Sequence, residues 1–192
     1  MNSIDTRDVV LNVPHISQRL DVDGRWLPQH RACGMVSAYM ALRFYQDKEL
    51  LNKQLPELDF LIAQGIEEKG LLEGAGWVHD YLVRTFHRYG IHCKRFEGMD
   101  PEKAIPLFVH CLADCEDPVL VSAQHTRFGP GDTINHIILL TGVRHNEDGK
   151  PAGFFYHDCN VYRRGEGIHD YVSFENFLLG WKRRAILPCT KM

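Results

Sequence analysis

The stretch ACGMVSAYMALRFY, residues 32–45, decides how the chain folds. Met35, Val36, Tyr39, Met40, Leu42, Phe44 and Tyr45 fall on nearly every side of a helical wheel, and Arg43 is the only charge from Cys33 to Tyr45. A helix apolar almost all round belongs inside a domain. Cys33 is its first residue, where unpaired N–H groups and the positive end of the helix dipole stabilise a thiolate, the form that attacks carbonyl carbon. Gly34 removes a side chain beside that thiol and would let a substrate approach closely. Read without function, Cys33 is a small hydrophobe packed ahead of an apolar helix. The other five cysteines, at 93, 111, 115, 159 and 189, lack a helix-start context.

Upstream, VVLNVPHIS (9–17) reads as an extended lead-in that Pro14 confines to an edge, and residues 18–32 read as loop. Downstream, residues 46–76 are polar and helix-prone, an insertion placed to cover or gate a cleft. WVHDYLVRTFHRY (77–89) predicts a helix stopped by Gly90, and IHCKRF (91–96) a short strand. Asp100-Pro101 predicts a helix start, with the helix running to about residue 112. Pro106 inside it predicts a late start or a kink. PVLVSAQH (118–125), HIILLTGV (136–143) and GFFYHD (153–158) are β-type runs. A helix over 173–181 capped by Ser173 and a closing strand at 184–187 complete the series. Helices first and strands later predict an α+β domain, a single one over residues 1–192.

The two strands after residue 135 carry a second chemical signal. His136 opens one, Asp158 closes the next, and Asp148-Gly149 marks the turn between them. Antiparallel partners have a constant index sum; a turn centred between 147 and 148 sets it near 295. His136 and Asp158 sum to 294, so they should lie opposite or nearly so, away from the turn. Facing Cβ atoms are ~5 Å apart, close enough for a carboxylate to hold an imidazole N–H. A one-residue bulge would shift the register, and His157 is the neighbouring alternative. Nothing in the strands brings the start of the Cys33 helix to this end of the sheet.

Composition narrows the function. Lys plus Arg is 22 against 25 Asp plus Glu, a net charge of −3, which argues against electrostatic nucleic-acid binding. No apolar run approaches the ~20 residues of a membrane helix. The first residues show no basic segment followed by an apolar one, so a cytoplasmic location with free thiols is expected. Eleven histidines and six cysteines raise metal binding. The nearest set, His110 with Cys111 and Cys115, has no matching second pair, so no metal and no organic cofactor is expected.

The segments VPHISQ (13–18), ACGMVSAYMALRFY (32–45), NHIILLTGV (135–143), FYHDCN (155–160) and SFENFLLGW (173–181) occur in an order and spacing that resembles the papain-like cysteine peptidases. The resemblance is greatest to the group of bacteriocin-processing, double-glycine leader peptidases, and it spans residues 13–187. It implies a buried helix packed on an antiparallel sheet. It also implies Cys33 as nucleophile, His136 as base, Asp158 as its orienting acid, and a glutamine ahead of the cysteine as oxyanion donor. Gln18 matches the element VP…SQ; Gln29 is the alternative, and sequence does not separate them. Gly34 and Asn135 are the expected substrate contacts, as is the Gly/Pro-rich rim 125–135. Met35 and Cys159 stand where such proteins often have proline. The activity implied is thiol-dependent cleavage of a peptide or amide bond through a thioester, on a peptide or protein substrate. An acyltransferase or deamidase of the same fold, or an inactive binding module, remain the other readings, and the oligomeric state is open.

Overall fold

The protein is described by a computed structural model covering residues 8–124, 128, 135–188 and 190. The chain enters through β1 (Val9–Val10), crosses an irregular stretch ending in a tight turn at Gln29–Arg31, and starts α1 (Cys33–Asp47). α1 is buried continuously from Gly34 to Leu42 and again at Phe44 and Tyr45, as its all-round apolar surface requires. α2 (Leu58–Glu67) adds Leu61 and Ile62 to the same core. A small hairpin, β2 (Leu71–Leu72) with β3 (Gly76–Trp77), leads into α3 (His79–Arg88). β4 (Cys93–Glu97) follows, then α4 (Pro101–His110), where the Asp100 carboxylate caps the Glu102 N–H. The rest is β5 (Val119–Ala123), β6 (His136–His145), β7 (Pro151–His157), β8 (Asp170–Ser173), α5 (Phe174–Gly180) and β9 (Trp181–Pro188).

The main sheet is antiparallel in the order β4-β9-β5-β6-β7-β8. β1 lies beside β6 at Gly142 and Val143, beyond the span paired with β5. A Cβ on Gly142 would sit 2.2 Å from the Val9 carbonyl oxygen, so the approach of β1 depends on that glycine. α1 packs on β6 and is pinned at both ends. The Ser37 hydroxyl donates to the Ile137 carbonyl at 3.0 Å, and the Tyr45 hydroxyl donates to Asp117 at 2.9 Å. Elsewhere Phe108, Phe154, Phe177 and Trp181 form an aromatic cluster with ring centroids 5.0–6.2 Å apart. Each such pair adds about 0.5–1.5 kcal/mol beyond area burial.

This is the α+β arrangement expected, with differences of detail. Trp77 is not in the third helix. Val78 is extended, Trp77 pairs with Leu71 in the hairpin, and the helix starts at His79. Pro106 neither delays nor ends α4, which starts at Pro101 and runs past it. The final helix stops at Gly180, and Trp181 opens β9, three residues earlier than the expected closing strand. β8 was not anticipated: DYVS has too little apolar alternation to be distinguished from turn. Residues 46–76 are more than a cover, because α2 contributes core side chains.

Candidate active site

Cys33, His136 and Asp158 come from three separate elements. Cys33 is half-buried at the start of α1, His136 is the first residue of β6, and Asp158 follows directly on β7. Ser37 makes the junction. It lies one turn after Cys33 on the same helix face, and its bond to the Ile137 carbonyl grips β6 beside His136. The sequence lacked this link, and a serine in a largely apolar helix was its only trace.

The strand register is 296 near the site (Leu139 opposite His157, Leu140 opposite Tyr156), becomes 297 beyond an irregularity at Leu140/Gly142, and returns to 296 at His145. Asp158 therefore aligns with position 138, two residues from His136. A shift of two keeps both side chains on one face, and the His136 Nε2–H donates to Asp158 Oδ1 at 2.8 Å. Asp158 Oδ1 also accepts from the Asn160 backbone N–H at 2.8 Å. With Nε2–H committed to the carboxylate, Nδ1 is the ring nitrogen left for the thiol; Cys33 and His136 line the same cleft, close enough for each to shift the other's protonation.

Burial pushes the Cys33 thiol up. The His136 bond and charge, with backbone contributions at Ile137 and Gly34, outweigh it and hold the thiol below its usual range. Burial likewise opposes charge on His136, but Asp158 and then Cys33 raise the imidazole to about 10. The arrangement thus favours a thiolate–imidazolium pair, a nucleophile joined to its proton store. His157 behaves oppositely. Burial lowers it to about 3, and its ring nitrogens meet the Val13 carbonyl and the His169 N–H. It is a structural neutral histidine, not a second base.

Gln18 is buried, and it shares a hollow of about 500 Å³ with Cys33. Its Nε2 donates to Asn160 Oδ1 at 2.8 Å, which leaves the second amide N–H for another acceptor. Gln29 instead donates to the Val22 carbonyl at 2.8 Å and is absent from the cleft lining. Asn135 is exposed, lines the cleft on both sides of Cys33, and accepts from Lys182. At Gly34 the geometry is that of packing: an added Cβ would lie 2.8 Å from Cβ of Trp77, so the indole occupies the space once assigned to substrate. The expected rim at 125–135 lies outside the described residues except for Phe128 and Asn135.

Sequence reasoning passed over Asn160, which orients both Gln18 and the neighbouring Arg19. It also missed the wall formed by Gly74 to Trp77, and the His79–Ser122 pair at 2.8 Å in a second hollow of about 300 Å³. Asn160 was visible as the end of FYHDCN; in the wall, Gly74 and Gly76 gave only a weak turn signal.

Among the described residues, one group could hold a metal ion: His136, Asp158 and Cys159, with ligand atoms within 4.8 Å of one another. It fits poorly. His136 and Asp158 already bond each other, and burial pushes the Cys159 thiol well above its usual range, so it holds its proton. His110 and Cys115 approach at 3.5 Å, but neither they nor Cys111 belong to such a group. Among the described residues, no helix is long and apolar enough to cross a membrane.

Known structures share this layout. A double-glycine motif protease from an AMS/PCAT transporter, solved with its leader peptide, superposes with TM-score 0.55 at 15% identity, over 94% of this chain and 96% of that one. The peptidase domain of Streptococcus ComA, a bifunctional ABC transporter of a quorum-sensing pathway, gives 0.53 at 15% identity, over 83% and 92%. UfSP from C. elegans gives 0.59 at 12% identity, over 94% of this chain but 34% of its own. These likenesses carry the fold, papain-like and α+β. No curated protein sequence matches the chain. The profile of the Peptidase_C39-like family matches residues 10–186, and on that match the chain belongs to this family of cysteine peptidases.

Proposed function

We propose that residues 1–192 form one peptidase domain that cleaves a peptide or amide bond through a thioester on Cys33. The carrying observation is the buried, hydrogen-bonded pair of His136 and Asp158, with the half-buried Cys33 thiol beside His136 in the lining of one cleft. The Cys33 thiolate attacks the carbonyl carbon, and the oxygen takes the negative charge. The free N–H of Gln18 and the first-turn backbone N–H of Cys33 receive that oxyanion. His136 then gives its Nδ1 proton to the leaving amine, and the thioester forms. Water attacks the thioester with His136 as base, releasing the acid and restoring the thiol. Asp158 keeps the ring oriented and supports its charge throughout. No step needs a metal or organic cofactor. The substrate is a peptide or protein, and Asn135 borders its path.

The test is covalent capture. A peptide bearing an electrophilic carbonyl mimic is expected to modify Cys33 stoichiometrically, as read by intact mass and peptide mapping, and exchange of His136 for Ala is expected to abolish the fast reaction. Labelling at an ordinary thiol rate, indifferent to His136, would refute the reading. Product masses in the presence of added amine distinguish hydrolysis from acyl transfer.

A further inference from the structure

The two hollows flanking Cys33 are charged one way. Among the described residues, their linings include four Lys or Arg residues (Arg19, Arg31, Lys182 and Arg184) and no Asp or Glu, although the whole chain has 25 acids to 22 bases. Arg184 is partly engaged by Glu97 at 3.4 Å. The other three are bound to uncharged acceptors. Arg19 Nε donates to Asn160 Oδ1 at 2.7 Å, Arg31 to the Leu72 carbonyl at 2.9 Å, and Lys182 to Asn135. Among the described residues, none of these three pairs with a carboxylate. The field is felt nearby: burial and then the charge of Arg184 push Lys182 down, and burial with Arg184 and Arg95 pushes His79 down. Arg19 and Arg31 lie in one hollow and Lys182 in the other, so the charge extends on both sides of the thiol.

Resting on the peptidase reading, we propose that the cleft selects an acidic peptide, with carboxylates received by Arg19 and Arg31 on one side of the scissile bond and by Lys182 on the other. A concave site lined by one sign of charge concentrates ligands of the opposite sign and raises their on-rates by about tenfold or more. Arginine adds a two-pronged fit to carboxylate, which suits Arg31 better than a point charge would.

The experiment compares alkylation of Cys33 by iodoacetate and iodoacetamide, in the full chain carrying Cys115→Ser and Cys189→Ser, which removes the other half-buried thiol and the one outside the described residues. The imidazolium itself attracts iodoacetate, so the informative quantity is how the rate ratio changes. With Arg31→Gln and Lys182→Gln together, the iodoacetate-to-iodoacetamide ratio is expected to fall several-fold. In the protein retaining both cations, it is expected to fall as salt shortens the screening length to about 10 Å at 0.1 M and about 3 Å at 1 M. Electrophilic peptides with Glu on both flanks are expected to capture Cys33 about tenfold faster than Lys-flanked ones, and the double variant to erase that preference. A Cys33 that stays fast with iodoacetamide, with a ratio and a peptide preference unmoved by either variant or salt, overturns the acidic-substrate proposal and leaves the peptidase reading intact. A Cys33 slow with both reagents ends both.

Discussion

Two regions of this molecule place a cysteine, a histidine and an aspartate in a row. In one, His136 and Asp158 are 2.8 Å apart with Cys33 on the ring's other side. In the other, His110 Nδ1 and Asp114 are 2.7 Å apart, and His110 Nε2 lies 3.5 Å from the Cys115 sulfur. The two histidine–carboxylate distances are alike; the surroundings are not. The His136 and Asp158 side chains are 3% and 4% exposed, those of His110 and Asp114 58% and 69%. Water screens the exposed pair, and ion pairs of that kind contribute about 0–1 kcal/mol. The buried set faces a cleft with an amide donor; the exposed set lines neither hollow. What such a set of residues can do is decided by its enclosure as much as by the three residue types.

The contrast is open to breaking. Cys33→Ser is expected to lower turnover by roughly 10⁴-fold or more, whereas Cys115→Ser leaves it unchanged; steady-state assay of both on one captured substrate decides. Equal losses would void the distinction. Asp158→Asn is expected to lower kcat by about 10²- to 10⁴-fold, measured against Asp114→Asn, for which no change is expected.

Gln18→Ala removes an oxyanion donor, and kcat should drop about 10²- to 10³-fold with KM little affected. Gln29→Ala should cost only stability, on the order of 1 kcal/mol, seen as a shifted urea midpoint.

The pH response sharpens the contrast further. Because Cys33 is held below its usual range, alkylation by a neutral reagent should stay fast well below the ordinary thiol pKa of ~8.5 and lose that feature in His136→Ala. Because His136 is raised from 6.5 to about 10, its charge stabilises the fold fully below pH 6.5, and that contribution disappears as pH rises through about 10. Urea midpoints across that window should show the decline, and His136→Ala should flatten it. Ser37→Ala is expected to cost about 1–3 kcal/mol by leaving the buried Ile137 carbonyl without the Ser37 hydroxyl. If Ser37 positions Cys33, kcat falls with KM held, and Ser37→Thr restores part of it.

What could be read from the sequence was what local rules govern. An apolar wheel ending at a cysteine located α1 and Cys33. The turn centre set the index sum near 295; the observed 296 leaves His136 and Asp158, which sum to 294, offset by two, and the period of two keeps them on one face. A shift of one would have separated them. Long-range docking followed no local rule. Ser37 reaching Ile137 spans a hundred residues, and Gln18 parts from Gln29 only through Asn160 and Val22, one near the end of the chain and the other within the loop. The cleft wall at 74–77 escaped notice because its shape comes from backbone.

Trp77 couples two parts of the molecule that sequence treats as unrelated. Its indole fills the gaps left by Gly34 on α1 and Gly65 on α2, and its Nε1 donates to the Arg31 carbonyl at 2.9 Å. The wall is thereby doweled into the helix that carries Cys33. It cannot swing as a gate without withdrawing that ring. A larger residue at 34 or 65 demands a slimmer one at 77, so the three positions should drift in concert through the lineage, and hydrogen exchange along the hairpin should be as slow as at the start of α1.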